Sequence, residues 1–257
     1  WLAKKAANDG MECLYFVARE GQILKMAYDL WTADNRHAVP SEYLVLSRRA
    51  ITVPMITNLE DIYQIARTDY APNPMPDFIF ERYGIHLSDT ECETFAHRKL
   101  WPHNKKVLVE HGNIDHLKPL LQALEKRILE QAMSERPALL TYLQNTGLHA
   151  DKRIAIVDVG YAATTQGYLN RLLQQKIHGY YLITLDTAEK IASTHQVITQ
   201  GYYYHFTKPS VTEPVLYRKS FTLEKFFSAN DAQIVRYHSS ETGEIIPEFR
   251  PLSNEEH

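Results

Sequence analysis

The chain lacks a cysteine framework, a basic excess and a long apolar run, and each absence removes a class of protein. Two cysteines, Cys13 and Cys92, among 257 residues cannot build a disulfide scaffold, and no CxxC spacing offers a zinc knuckle. No apolar run approaches the roughly 18 residues of a spanning helix. The 28 Lys and Arg against 31 Asp and Glu leave a charge of −3, whereas a duplex-binding domain is clearly basic, so no nucleic-acid partner is expected. HExxH, GxGxxG, a P-loop and GxSxG are all missing, which argues against zinc-peptidase, dinucleotide, ATP and serine-hydrolase chemistry. Trp1 opens the chain without a start methionine or a signal h-region. A cytoplasmic domain cut from a longer protein is the expectation.

What is present is globular. Hydrophobic residues at 44% and charged residues at 23% are ordinary values. A chain of this length buries roughly 75% of its unfolded surface. Sixteen tyrosines and twelve histidines stand above average. Tyrosine offers an apolar face with a polar tip, suited to a sugar acceptor, and equally to half-buried strands. The histidine spacings match no zinc site.

The hydrophobic periodicity alternates strand and helix. Leu14–Ala18, Tyr43–Leu46, Lys106–Val109, Ile154–Val157 and Tyr180–Thr184 read as buried strands. Ile23, Met26, Ala27 and Leu30, widened by Trp31, form a helical stripe, as do Leu117, Leu120, Leu121, Leu124 and Ile128, and then Leu169, Leu172, Leu173 and Ile177. This predicts an α/β domain over 1–257, with a mostly parallel sheet flanked by helices. A helical insertion is expected at about 57–104, with the Pro-rich elbow Ala71–Pro76 and a capping box from Ser88 to Glu91. An aromatic, β-rich C-terminal part is expected over about 201–257, with strands at Tyr202–Phe206, Val215–Tyr217 and Ile234–Tyr237 and a short helix at Leu223–Phe227.

Three strand ends carry chemistry. Ile154–Asp158 runs through Val159 and Gly160 into Tyr161-Ala162-Ala163-Thr164-Thr165-Gln166 and then a helix. Small side chains let backbone N–H groups approach a phosphate, hydroxyls add donors, and the helix start adds positive potential. The same text also fits an ordinary strand-to-helix turn capped by Thr165. Arg19-Glu20-Gly21 forms a second strand-end turn, and Ser47-Arg48-Arg49 a third. Paired arginines can hold a pyrophosphate bidentately, although an arginine pair is commonly a solvated face. On one sheet edge, the three would fit a ligand with two phosphorylated ends and sugar hydroxyls between.

The phosphate-loop segment resembles the type I phosphoribosyltransferase signature, with Arg19-Glu20-Gly21 similar to its pyrophosphate loop and Ser47-Arg48-Arg49 to the basic residues after its second strand. Val159 stands at the second acid of the signature, and Ala163-Thr164-Thr165-Gln166 at its Thr-Gly-Gly-Thr. Together with Tyr15–Gly21, Tyr43–Arg49, Val157–Gly160 and Leu223–Ala229, the chain is similar to domains of bacterial polysaccharide and capsule synthesis proteins. Those domains lie beside HAD-type phosphatase and glycosyltransferase domains. The resemblance implies a cytoplasmic glycan phosphoribosyltransferase, held at the inner face of the membrane through its parent protein. It would transfer 5-phosphoribosyl from phosphoribosyl pyrophosphate (PRPP) to a glycan hydroxyl.

In that reading Ala162, Ala163, Thr164, Thr165 and Gln166 bind the 5-phosphate, while Arg19, Gly21, Arg48 and Arg49 bind the pyrophosphate. Asp158 holds the ribose hydroxyls. Magnesium is carried mainly by PRPP, without a dedicated protein cage. Glu20, Glu110, His111 and Asp158 are candidate bases, with Glu20 preferred; a salt bridge from Glu20 to Arg19 or Arg48 is the structural alternative. A non-catalytic PRPP- or nucleotide-binding or scaffold domain is the main rival reading, and a transferase or hydrolase for another phosphorylated sugar is a second.

Overall fold

The computed structural model describes residues 1–102, 105–148, 151–207, 218–229 and 232–250. The expected strand at Val215–Tyr217 lies outside them. The chain forms two compact units. The first comprises Trp1–Arg48, Thr141–Ile234 and Phe249–His257, and the second Arg49–Leu140 and Val235–Glu248.

In the first unit, β1 (Cys13–Val17), β2 (Ser41–Leu44), β5 (Ile154–Asp158), β6 (His178–Leu185) and β7 (Ile198–Thr207) form one parallel sheet in the order β2-β1-β5-β6-β7. This is the expected α/β architecture. β1 is buried at every position and β5 at all but its last, because a central parallel strand is covered on both faces and reads as a continuous apolar run. Helices α1 (Leu2–Asn8) and α2 (Gly21–Thr32) cover one face, where Leu14, Phe16, Ala155, Val157 and Tyr180 pack with Ala6 and Tyr28. On the other face, Tyr15 donates to the Thr146 carbonyl at 3.0 Å, just past the end of α7 (Lys118–Asn145), and Tyr181 meets α8 (Thr164–Leu173). Helix α9 (Asp186–His195) joins β6 to β7, and α10 (Ser220–Phe227) matches the expected late helix. The segment Tyr202–Phe206 belongs to the parallel sheet as part of β7.

The apolar stripe expected to bury α2 faces outward. Trp31 is 84% exposed, Leu30 79% and Met26 60%. Gly21 sets the rotation instead. A Cβ there would come within 2.6 Å of the Phe16 carbonyl carbon, so the helix start sits directly on β1. Tyr28 and Thr32, on the same face as Gly21, are the buried positions, and the Tyr28 hydroxyl donates to the Val39 carbonyl at 2.8 Å.

The second unit is larger than the expected 57–104 insertion. It contains α4 (Leu59–Ala66), β3 (Tyr70–Pro74), α5 (Met75–Tyr83), α6 (Asp89–His97), β4 (Lys106–Val109) and most of α7, around a core of Ile62, Phe78, Tyr83, Leu120 and Ile128. The Ser88–Glu91 capping box forms at the start of α6. Lys106–Val109 is not a strand of the parallel sheet: it pairs antiparallel with Tyr70–Pro74, the expected Pro-rich elbow. Its alternating burial, with Val107 and Val109 inside, belongs to a sheet covered on one face. Prolines in β3 suit a two-stranded edge, where a missing N–H leaves no ladder bond unmade. The hairpin of β8 (Ile234–Ser239) and β9 (Ile245–Phe249) carries the Arg236–Glu248 ion pair at 2.6 Å. Among the described residues no helix is long and apolar enough to cross a membrane.

Candidate active site

Counted within the parallel sheet alone, the strand order is 2-1-3-4-5. In sheets of this order ligands bind outside the carboxyl ends of the strands, where the winding reverses. Here that point lies between β1 and β5, and the loops leaving β2, β1 and β5 meet there around a cleft of about 260 Å³. Arg19 and Glu20 line it from the first loop, Ser47 and Arg48 from the second, and Asp158 with Ala162, Ala163, Thr164 and Thr165 from the third. All lie in the first unit.

The third loop is fixed by its neighbours. Val159 and Tyr161 offer their carbonyls to the N–H groups of Ile183 at 3.1 Å and Leu185 at 3.0 Å, extending the pairing with β6. A Cβ on Gly160 would meet the Ile183 carbonyl oxygen at 2.6 Å, so only glycine fits. Ala163 takes the left-handed conformation at φ 58° and turns the chain into α8. The first helical bond there runs from the Gly167 N–H to the Ala163 carbonyl at 3.0 Å. The N–H groups of Thr164, Thr165 and Gln166 precede it and have no acceptor within the helix, the property that suits a helix start to an anion.

Asp158 is the electrostatic centre. Its carboxyl is pushed up to about 8, first by burial and then by the negative charges of Glu20 and Glu224. The Val159 N–H, donating to Oδ1 at 2.7 Å, and the guanidinium of Arg48 oppose that rise. Glu224, half-buried on α10, is raised by burial and by Glu20, with Arg48 opposing. Burial and the charges of Glu224, Asp158 and Glu20 push the Tyr161 hydroxyl up as well. Glu20 Oε2 accepts from the Arg19 N–H at 3.1 Å and Oε1 from the Ser228 hydroxyl at 3.3 Å, so its partners are this amide and hydroxyl and not the expected guanidinium. The side-chain guanidinium groups of Arg19 and Arg48 make no hydrogen bond or ion pair of their own among the described residues.

Three expected site residues do other work. Arg49, next to Arg48 in sequence, is in the second unit and does not line the cleft. Its guanidinium makes a bidentate ion pair with the buried Glu135, at 2.7 and 3.0 Å, and also donates to the Val235 carbonyl. Gln166 is fully buried and turned into the protein. Its amide donates to the carbonyls of Ile177 at 2.7 Å and Ile198 at 2.9 Å, while Oε1 accepts from Tyr181 and Thr199, each at 3.1 Å. Gly21 serves the seating of α2 on β1. Glu110 and His111 are exposed residues of the second unit.

The sequence reading gave no role to Glu224, Tyr161 or Ile234. Ile234 lines the cleft and accepts from the Ser47 hydroxyl at 2.8 Å. Leu223–Ala229 stood out as a segment, yet nothing in its spacing says which loop it approaches.

The cleft brings together groups suited to anions, the Thr164 and Thr165 hydroxyls and the Arg19 and Arg48 guanidinium groups, and the Asp158 carboxyl, which can accept from hydroxyl donors. Among the described residues no three His, Cys, Asp or Glu side chains stand so as to hold a metal ion by themselves. Asp158 and Glu20, both lining the cleft, are the carboxylates that could meet a cation bringing its other oxygen ligands with the substrate. No protein-family model and no curated protein matches the chain.

Proposed function

We propose that the first unit transfers 5-phosphoribosyl from PRPP to a hydroxyl of a glycan, with inversion at the anomeric carbon and release of pyrophosphate. The observation that carries this reading is the convergence at the winding reversal, where the Arg19 and Arg48 loops and the Thr164–Thr165 turn meet a carboxyl of raised proton affinity in one cleft.

The 5-phosphate sits on the N–H groups of the Ala162–Thr165 turn and the hydroxyls of Thr164 and Thr165. Asp158 accepts the ribose hydroxyls, which add to the one hydrogen bond that its carboxylate receives from the Val159 N–H. Arg19 and Arg48 hold the pyrophosphate and stabilise the charge it gains as the bond to the anomeric carbon breaks, usually the largest catalytic contribution. The Arg49 guanidinium and the Gln166 side-chain amide, engaged elsewhere in the protein, are not among the binding groups. Asp158 and Glu20 are the residues that would approach magnesium carried by PRPP, which would screen the phosphate charges. In a polysaccharide-synthesis protein at the inner face of the membrane, a HAD-type phosphatase domain would remove the 5-phosphate, and a glycosyltransferase domain would extend the product.

One observation favours the alternative, a non-catalytic PRPP- or nucleotide-binding domain. Val159, where the resembling family has its second acid, is a core residue with 2% exposure. Incubation with PRPP, magnesium and a panel of short glycans separates the two. A glycan that gains one phosphoribosyl unit, and does not with Asp158→Asn, supports transfer; PRPP binding without product on any acceptor supports the alternative.

A further inference from the structure

A hydroxyl attacking the anomeric carbon must lose its proton; Asp158 and Glu20 line the cleft, and the charge of Glu224 acts on Asp158 and on the cleft residue Tyr161. Asp158 is engaged at Oδ1 by the Val159 N–H at 2.7 Å and faces the ribose hydroxyls. Glu20 accepts at both oxygens, from the Arg19 N–H at 3.1 Å and the Ser228 hydroxyl at 3.3 Å. The Glu224 carbonyl accepts from the Ser228 N–H at 2.8 Å, and among the described residues its carboxylate accepts no hydrogen bond. We propose that Glu224 is the general base of the site, an assignment that rests on the phosphoribosyl transfer argued above.

The placement comes from α10. Ser220 and Glu224 lie one helical turn apart on one face, and Ser228 is the C-cap residue just past the helix end. Ser220 lies at the Tyr161 hydroxyl, and Ser228 bonds Glu20. Tyr161 and Glu20 both line the cleft, on two different loops. The face that carries Glu224 is thus seated across the phosphate loop and the Arg19 loop, while Thr222, Lys225 and Phe226 are exposed to solvent.

Burial and the neighbouring Glu20 charge raise the proton affinity of Glu224, which suits a base working near neutral pH. In the step itself, a lone pair of the acceptor oxygen forms the new bond to the anomeric carbon. The bond from that carbon to the pyrophosphate oxygen breaks, and its electron pair leaves with pyrophosphate. The hydroxyl proton passes to the Glu224 carboxylate and from there to water.

The test compares wild type, Glu224→Gln, Glu224→Asp and Glu20→Gln. The probes are PRPP with magnesium chloride, and methyl β-D-galactopyranoside, methyl β-D-ribofuranoside and water as acceptors. Glu224→Gln should lower kcat by roughly 100- to 10,000-fold and remove the acidic limb of the kcat–pH profile. PRPP affinity by calorimetry should stay within about 3-fold, because the lost group acts on the acceptor. Glu224→Asp should keep the acidic limb, and Glu20→Gln should retain more activity than Glu224→Gln. Wild-type transfer with a Glu224→Gln variant of near-normal kcat, or one that keeps the limb, overturns the role of Glu224 alone. A wild type that binds PRPP and transfers to none of the three acceptors overturns the transfer reading and this role together.

Discussion

Two aspartates at opposite edges of one parallel sheet show how differently the same side chain can be treated. At the amino edge, burial raises the Asp9 carboxyl, but hydrogen bonds from Lys5 and Tyr180 outweigh it and the net shift is downward. Lys5 and the Tyr180 hydroxyl both stand at 2.7 Å. At the carboxyl edge, Asp158 faces Glu20 and Glu224, and the partial offset from Arg48 and one N–H leaves it at about 8. Asp9 is a finished structural contact. Among the described residues Asp158 has one hydrogen bond, from its neighbour's N–H, and a carboxyl of perturbed proton affinity at a sheet's ligand edge is what the proposed function builds on.

Exchanging each aspartate for asparagine is the strongest way to break the comparison. Asp158→Asn should cut phosphoribosyl transfer by about 1,000-fold with folding intact, whereas Asp9→Asn should leave kcat/KM within about 2-fold and lower stability by roughly 1 kcal/mol in urea unfolding. Equal losses of transfer in both variants would dissolve the distinction.

The adjacent arginines give the next effect. Arg49→Ala strands the buried Glu135 carboxylate and should cost about 3–5 kcal/mol of stability. Arg48→Ala should cost under about 1 kcal/mol but weaken PRPP binding by roughly 10- to 100-fold, the worth of a charge-assisted hydrogen bond. Urea midpoints and calorimetry read the two separately.

A pH series sharpens the contrast further. An unfolded aspartate titrates near ~4, and Asp158 in the folded protein at about 8. The folded state therefore holds this proton more tightly. The stability it contributes is fully present below about pH 4 and is lost as pH rises through about 8. Urea unfolding should register a loss of about 2 kcal/mol across that window, less than the full linkage value because the open cleft admits water. Asp158→Asn should flatten the slope. Gln166→Ala leaves the Ile177 and Ile198 carbonyls and two hydroxyls without their partner and should cost about 1–3 kcal/mol, with no change in PRPP affinity beyond about 3-fold.

The residues that were legible in the sequence are those whose role depends on local pattern. Continuous apolar runs marked β1 and β5 as buried strands, because burial on both faces leaves no polar position. The small-residue turn after Asp158 announced the third loop, because close packing against Ile183 admits only glycine at 160. Rotation and partner choice were not legible. The stripe of Met26, Leu30 and Trp31 has the stronger apolar period, yet the contact of Gly21 with Phe16 decides which face of α2 is buried. Arg48 and Arg49 are identical in type and adjacent in sequence, and Glu135, 86 residues further on, separates their roles. Gln166 sits at a phosphate-loop position by order, but a helix carries its side chain away from the turn that its N–H faces. Lys106–Val109 reads as a strand in either kind of sheet, and its choice of partner is a matter of topology.

The central claim is that the cleft binds a ligand phosphorylated at both ends, and calorimetry with PRPP, ribose 5-phosphate and pyrophosphate, each with magnesium, tests it most directly. The account predicts that PRPP binds more tightly than either half. Arg48→Ala should weaken PRPP and pyrophosphate while sparing ribose 5-phosphate, and a Thr164→Ala, Thr165→Ala double variant should weaken PRPP and ribose 5-phosphate while sparing pyrophosphate. PRPP binding no tighter than its halves, or equal losses for all three ligands in both variants, would contradict it.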